Sequence, residues 1–139
     1  MPEVFLLVGM TGSGKTTYSK RVLEPAGAVR VSLDESGPAA IGERVVRELA
    51  AGHDVALDLG LWTRADRDGW KRLVEATGGH WRMLYFPVSH AELLARITER
   101  DRLGGAHRPT VTESELDDFY ARFEEPTDEG EEVVQPGSF

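Results

Sequence analysis

The chain has 139 residues, of which 40% are hydrophobic and 29% are charged, and it contains no cysteine. This length and composition indicate a single globular domain over residues 1–139, and the lack of cysteine excludes disulfides, thiolate catalysis and cysteine-based metal sites. The net charge of −8 argues against a protein that binds extended nucleic acid, because such proteins present a basic face.

The first predicted element is a strand that leads into a glycine-rich loop. The apolar run Val4–Val8 predicts a buried strand, and residues 9–16 then match the pattern G-x-x-x-x-G-K-[ST] at every required position. A helical stretch from Thr17 to about Leu23 follows, so backbone N–H groups of the loop can surround phosphate oxygens at a helix N-terminus. We expect ATP to bind here, although no motif distinguishes adenine from guanine.

Within this loop, Lys15 is expected to reach the β- and γ-phosphates and to act in catalysis, and the Thr16 hydroxyl is expected to bind Mg²⁺. The predicted nucleotide-binding residues are Gly9, Met10, Thr11, Gly12, Ser13, Gly14, Lys15, Thr16 and Thr17.

The second predicted strand, Ala28–Ser32, is followed by two acidic residues, Asp34 and Glu35. Sites in parallel sheets lie at the carboxyl ends of the strands, where a carboxylate would face the γ-phosphate. Such a group can accept the proton of an acceptor hydroxyl during phosphoryl transfer. We predict that Asp34 is this general base, with Glu35 less favoured; the alternative is that Asp34 is a helix N-cap or a loop acid.

The third predicted strand also ends in an acid. A helix is predicted over Pro38–Ala51, because its apolar residues recur every four positions, and the strand Asp54–Asp58 follows it. Asp58 is interpreted either as an acid that organises Mg²⁺ or as a ligand of the acceptor. A third interpretation is that it orders the phosphate loop through hydrogen bonds.

The segment after Asp58 is predicted to form the acceptor side of the cleft. Trp62 could stack on an acceptor ring, with a core position as the alternative. The arginines at the start of the next helix could contact a negatively charged acceptor, with solvated helix charges as the alternative. The predicted acceptor-binding residues are Asp58, Trp62, Arg64 and Arg67.

The remaining segments continue the alternation of helices and strands. Ser89 and Thr112 each precede a glutamate by three residues and predict the starts of two helices. Strands are predicted over Trp81–Phe86 and, as a short edge strand, over Glu132–Val134. The alternation predicts an α/β fold with a parallel sheet of strand order 2-3-1-4, a possible fifth strand and helices on both faces.

Arginines recur between these last two helices, where a lid would lie. The loop over residues 102–111 is rich in glycine and arginine, and guanidinium groups bind phosphate oxygens through paired hydrogen bonds. We predict that Arg100 and Arg108, ahead of Arg102, bind the transferred phosphate, with surface ion pairs as the alternative. The strongly acidic segment over residues 112–139 is predicted to be a solvated helix and tail.

Together these motifs resemble the small P-loop kinases, in particular the polynucleotide 5′-kinases, the zeta-toxin-type kinases and the chloramphenicol-phosphotransferase-like enzymes. The likeness rests on residues 9–16, on Asp34, on the D-x-G-x-W segment Asp58–Trp62 and on the F-x-x-P-T segment Phe123–Thr127. It implies a three-layer P-loop NTPase fold, a general base at Asp34 and a lid whose arginines bind the transferred phosphate. The chain departs from such kinases in one respect, since only about twenty residues separate Asp34 from the third strand.

The sequence therefore predicts an enzyme that transfers the γ-phosphoryl group of Mg²⁺-ATP to a hydroxyl of a small molecule. A polynucleotide 5′-hydroxyl kinase is the second interpretation, and a non-catalytic ATP-binding switch or partner module, which the short acceptor segment favours, is the third. With no membrane-spanning stretch and no signal peptide in the sequence, we expect a cytoplasmic protein without membrane contacts.

Overall fold

The computed structural model describes residues 2–10, 13–32, 38–102 and 113–135. Its elements, in chain order, are β1 (Glu3–Val8), α1 (Lys15–Tyr18) continued by a π-helical turn (Ser19–Leu23), β2 (Val29–Ser32), α2 (Pro38–Ala50), β3 (Val55–Gly60), α3 (Arg64–Ala76), β4 (His80–Tyr85), α4 (His90–Arg102), α5 (Glu113–Arg122) and β5 (Glu131–Val133). The predicted site residues Thr11, Gly12, Asp34 and Arg108 lie outside the described residues, as does Glu35.

The five strands form one sheet, in the order β2-β3-β1-β4-β5, and every neighbouring pair is parallel. This confirms the predicted order and the fifth strand. In the register of the sheet, Val8 pairs with Gly60 on one side and with Tyr85 on the other, and Ser32 pairs with Asp58. The carboxyl ends of four strands therefore meet along one edge, where the glycine-rich loop also begins.

After Glu3, strand β1 is apolar at every position, because helices or loops cover both faces of the sheet around it. Its side chains at Val4, Leu6 and Val8 join one core cluster, and those at Phe5 and Leu7 join another on the opposite face. The two clusters confirm the predicted three-layer arrangement. None of the helices in the described ranges is both long enough and apolar enough to cross a bilayer.

A tight turn at the end of β3 redirects the chain towards the front of the sheet. Gly60 and Leu61 both have positive φ values, 87° and 52°. The carbonyl oxygen of Gly60 accepts a hydrogen bond from the Gly9 N–H at 3.1 Å, which ties this turn to the start of the glycine-rich loop. Thr63 then caps α3, since its side chain accepts a hydrogen bond from the Asp66 N–H.

Candidate active site

The glycine-rich loop is packed so tightly that its first residue must be glycine. A Cβ atom on Gly9 would lie 2.7 Å from Oγ of Ser13, which is itself buried. Gly14, with φ of 104°, precedes the first helical residue, Lys15. The opening N–H groups of a helix have no acceptor within the helix, so those at the start of α1 are suited to bind an anion.

The carboxylate of Asp58 accepts hydrogen bonds from the polar side chains at the start of α1. Oδ1 of Asp58 accepts a hydrogen bond from Nζ of Lys15 at 2.8 Å, and Oδ2 accepts one from Oγ1 of Thr16 at 2.8 Å. Arg30 donates to the same Oδ2 from Nε at 3.0 Å and from Nη2 at 2.8 Å. The structure therefore brings together three of the predicted site residues and adds a fourth.

The surroundings of Asp58 keep it ionised. Burial alone would raise its pKa, but the positive charge of Lys15 and the hydrogen bonds from Lys15, Arg30 and Thr16 outweigh burial, so the pKa lies below the ordinary value of 3.8. Only 2% of the Asp58 side chain is exposed. A buried carboxylate held by two cations can exchange one of them for a metal ion or a ligand without becoming protonated.

Arg30 is the site residue that sequence reasoning missed. It lies in β2 between Val29 and Val31, and the register of the sheet pairs it with Ala56 of β3, two residues before Asp58. The available signal was a lone arginine inside a short apolar strand, where a charged side chain needs a partner.

A cavity of about 900 Å³ opens in front of this carboxylate. Its inner half is formed by the end of the glycine-rich loop and by the strand ends, including Lys15, Arg30 and Ser32. Its outer half is formed by the start of α3 and by α5, and includes the rings of Trp62 and Trp70. The predicted acceptor side of the cleft and the phosphate loop thus line one continuous space.

Trp62 is half-buried: it lines the cavity and also packs against a hydrophobic core cluster. Its ring packs edge-on against Phe119 of α5, with centroids 4.9 Å apart, and the Arg122 guanidinium lies 5.3 Å from its centroid. Both interpretations of Trp62 from the sequence are therefore compatible with its position. Arg64 is exposed, forms an ion pair with Asp68 at 3.7 Å and is not part of the cavity wall.

The structure places Arg67 away from the acceptor side of the cleft, which corrects the expectation that it contacts an acceptor. The side chain is fully buried, and Nε and Nη2 donate to the two carboxylate oxygens of Glu129 at 2.8 and 3.0 Å. Nη1 donates to the carbonyl oxygens of Leu61 and Trp62. With its donors used inside the protein, Arg67 supports the cavity wall from behind.

The described end of the predicted lid shows one arginine in a surface ion pair. Arg102 donates to Glu99 at 2.7 Å, three residues earlier in α4, and both side chains are exposed. The side chain of Arg100 is not among those described, so its predicted role stays a prediction, as does that of Arg108.

The oxygen atoms of Thr16 and Asp58 suit Mg²⁺, which prefers hard oxygen ligands and is commonly completed by phosphate oxygens and water. In the part of the chain that the structure describes, no three His, Asp or Glu side chains come together as a metal-binding group. A magnesium ion at this site would therefore depend on the nucleotide for most of its ligands.

Comparison with known proteins agrees with this geometry. The family model described as "AAA domain" matches residues 4–37 and 37–126, and no curated protein matches the chain. Among solved structures, a sugar kinase from Janibacter sp. is similar, with a TM-score of 0.73, 17% identity, 97% of this chain covered and 86% of the other. A gluconokinase from Sinorhizobium meliloti 1021 gives a TM-score of 0.68, 17% identity, 98% of this chain covered and 82% of the other.

A third similar structure is a chain of the Pnkp1/Rnl/Hen1 RNA repair complex, with a TM-score of 0.69 and 19% identity; 87% of this chain and 43% of that chain are covered. At these identities the likeness establishes the fold, which is the P-loop fold of small kinases, and leaves the activity to be argued from the site.

Proposed function

The chain belongs to the family of the AAA-domain model that it matches, and on that premise we propose that it transfers the γ-phosphoryl group of Mg²⁺-ATP to a hydroxyl group of a small molecule. The observation that carries the proposal is the convergence of Lys15 and Thr16 on Asp58 at the carboxyl edge of the sheet. This arrangement supplies a cation for the phosphates and two oxygen ligands for the metal within one cavity that also has room for an acceptor.

In this proposal Lys15 leaves Asp58 to bind the β- and γ-phosphate oxygens, while Arg30 stays with the carboxylate. Thr16 and Asp58 would hold Mg²⁺, which would neutralise charge on the phosphates. The main-chain N–H groups of the glycine-rich loop orient the triphosphate. Positioning and charge neutralisation account for most of the catalysis of phosphoryl transfer, so the residues named here supply its main requirements.

We assign the general base to Asp34, which follows Ser32 at the end of β2 by two residues. Ser32 lines the cavity, and its strand ends beside Asp58 in the register of the sheet. The acceptor hydroxyl would give its proton to Asp34 as its oxygen bonds to the γ-phosphorus and the bond to the β-phosphate bridging oxygen breaks. Arg100 and Arg108 remain the proposed ligands of the transferred group.

The test is ATP consumption with Mg²⁺ across a panel of sugars, nucleosides, antibiotics and 5′-hydroxyl oligonucleotides. Turnover stimulated by an acceptor, and lost in Asp34→Asn while ATP affinity is kept, would support both the reaction and the base. Asp117→Asn on α5 is the matched control, because it removes the same charge from a residue that does not line the cavity. Asp34→Asn turnover within a few-fold of wild type would reject the base.

Tight ATP binding without stimulation by any acceptor would instead favour a nucleotide-binding switch.

A second enzyme activity, phosphorylation of a nucleic-acid 5′ end, has one observation in its favour, the likeness in fold to a chain of an RNA repair complex. Oligonucleotide binding that weakens steeply with added salt would support it, and no binding at low salt would remove it.

A further inference from the structure

The carboxylate of Asp58 accepts four hydrogen bonds from the described residues. Lys15 donates one to Oδ1, Thr16 donates one to Oδ2, and Arg30 donates two to the same Oδ2, from Nε and from Nη2. An ionised carboxylate has about four lone-pair sites with which it can accept hydrogen bonds. Asp58 can therefore bind a metal ion only when one of these donors gives up its place.

Two of the three donors have a reason to change partner when Mg²⁺-ATP binds. In the proposed function Lys15 moves to the phosphates, and Thr16 turns a lone pair of its hydroxyl oxygen, rather than its proton, towards the metal. Arg30 differs from both, because Asp58 is its ion-pair partner in the part of the chain that the structure describes. We therefore expect Arg30 to remain on the carboxylate.

The sheet itself keeps Arg30 beside Asp58. The two residues lie on neighbouring parallel strands, whose register pairs Arg30 with Ala56 and Ser32 with Asp58. Because residues two apart on a strand point to the same face, the side chains of Arg30 and Asp58 share one face of the sheet. The Arg30 side chain is 22% exposed where it lines the cavity. The position of the guanidinium thus depends on the strands and not on the nucleotide.

A fixed positive charge at this position opposes the binding of another cation to the carboxylate. Nη2 of Arg30 lies 2.8 Å from Oδ2 of Asp58, the oxygen that also contacts Thr16. A metal ion held by Thr16 and Asp58 would therefore be a direct neighbour of the guanidinium. Like charges repel more strongly where little water screens them, and the Asp58 side chain is only 2% exposed.

From this arrangement we infer that Arg30 is a positioning residue that acts through Asp58 and lowers the affinity of the site for Mg²⁺. It holds the carboxylate in place while Lys15 turns to the nucleotide, and it makes metal binding weaker than Thr16 and Asp58 alone would allow. The metal requirement is thus set by a residue of β2 that does not itself bind the metal. The inference rests on the proposed function, since that function assigns Thr16 and Asp58 to Mg²⁺.

The experiment measures the affinity of a non-hydrolysable ATP analogue by calorimetry at neutral pH, once with saturating Mg²⁺ and once with a chelator. The ratio of the two affinities reports how strongly the binding of the metal and of the analogue support each other. We expect this ratio to rise about tenfold or more in Arg30→Gln, because the repulsion of the metal is removed. A substitution that only loosened the site would leave the ratio unchanged or lower it. Either of those results would overturn the inference.

Two further variants test the charge and the location of Arg30. Arg30→Lys keeps the positive charge and should keep the ratio close to that of wild type. Arg82→Gln is the matched control, because Arg82 also lies in a strand and donates to a carboxylate, that of Glu132, from Nε and Nη2, but does not line the cavity. It should leave the ratio unchanged. A ratio as high in Arg30→Lys as in Arg30→Gln would overturn the inference, since charge would then not be the cause.

A double-variant cycle tests whether Arg30 acts through Asp58. In an Asp58→Asn background, Arg30→Gln should change the ratio clearly less than it does in wild type, because the carboxylate that transmits the effect is gone. An equal rise in both backgrounds would show that Arg30 acts on the nucleotide directly and would overturn the inference.

These affinities need no turnover, so the inference and the proposed function can fail separately. A raised ratio in Arg30→Gln without acceptor-stimulated ATP consumption by wild type would reject the kinase proposal and leave the role of Arg30 intact. Acceptor-stimulated consumption with an unchanged ratio in Arg30→Gln would reject the role of Arg30 and leave the kinase proposal intact.

Discussion

Nζ of Lys15 lies 2.8 Å from Oδ1 of Asp58, and the two side chains are 8% and 2% exposed. The pair joins the phosphate loop after β1 to the end of β3. Thr16 and Arg30 donate to the other oxygen, so Asp58 keeps hydrogen bonds and a counter-charge when Lys15 turns to a phosphate. In the proposed function, nucleotide binding would therefore exchange one anionic partner of Lys15 for another and would leave no buried charge unpaired.

This exchange predicts that Asp58→Asn separates nucleotide binding from metal-dependent turnover. The variant releases Lys15 from its carboxylate partner, so we expect ATP without Mg²⁺ to bind as tightly as to wild type or several-fold more tightly. Turnover with Mg²⁺ should fall by about 100-fold or more, since a proposed metal ligand is lost. ATP titrations with and without a chelator test this, and an equal loss of affinity in both conditions would contradict it.

Arg30→Gln is predicted to shift the pH dependence of the reaction. Arg30 helps to hold the pKa of Asp58 below its ordinary value, so its removal raises that pKa. The acid limb of the kcat/KM profile should then move to higher pH, because Asp58 becomes protonated earlier as the pH falls. Arg30→Lys should restore part of the shift, and Arg72→Gln, on the exposed face of α3, should cause none. An unmoved acid limb in Arg30→Gln would show that Arg30 does not control the protonation of Asp58 in the reaction.

The buried pair of Arg67 and Glu129 is predicted to behave as one unit in unfolding. Arg67→Met leaves the carboxylate buried without its partner and should lower the free energy of unfolding by about 3–5 kcal/mol. The double variant Arg67→Met with Glu129→Gln should lose clearly less than the sum of the two single losses. Chemical denaturation of the four proteins measures the coupling, and additive losses would show that the pair is not coupled.

The same pair predicts a pH dependence of stability. The hydrogen bonds from Arg67 hold the pKa of Glu129 below its ordinary value of 4.5. A carboxyl with a lowered folded pKa stabilises the protein fully above its unfolded pKa, and this contribution is lost as the pH falls through the folded pKa. The stability difference between wild type and Glu129→Gln should thus be largest near neutral pH and shrink below about pH 4. Glu43→Gln, exposed on α2, should show no such change.

Gly60→Ala is predicted to displace the indole of Trp62 in the cavity wall, in addition to the loss of stability caused by its positive φ. Gly60 has a φ of 87°, and an added Cβ would lie 3.0 Å from Nε1 of Trp62. Gly78→Ala is the matched control, since Gly78 has a similar φ of 79° with nothing within 4 Å of the added atom. Both should lose about 1–2 kcal/mol for the positive φ, and only Gly60→Ala should also change tryptophan fluorescence and weaken ATP binding. Identical behaviour of the two variants would show that the indole moves aside freely.

The order of the strands could be predicted because each strand and helix has a local signal. Val4–Val8 is apolar at every position, Ser89 caps its helix as expected, and short connections leave few parallel topologies open. The phosphate loop is also local, because its function depends on consecutive backbone groups. Patterns of this kind can be read from neighbouring residues alone.

The partners of buried charges could not be predicted in the same way. Arg67 and Glu129 are separated by 62 residues, and Arg30 and Asp58 by 28. Arg67 looks like any charge in the first turns of a helix, and only the path of the chain after α5 shows that Glu129 returns beneath it. The sequence therefore predicted that Arg67 lies on the acceptor side of the cleft, whereas the structure buries it against Glu129.

Strand β1 has a strand on each side and a covered core on both faces. Its amide hydrogens should therefore exchange with solvent deuterium only when the whole protein unfolds, and the Gly9 amide, bonded to Gly60, should exchange nearly as slowly. The start of the phosphate loop should thus exchange its amide hydrogen almost as slowly as the central strand. Any ligand that slows exchange within β1 further must do so by stabilising the entire fold.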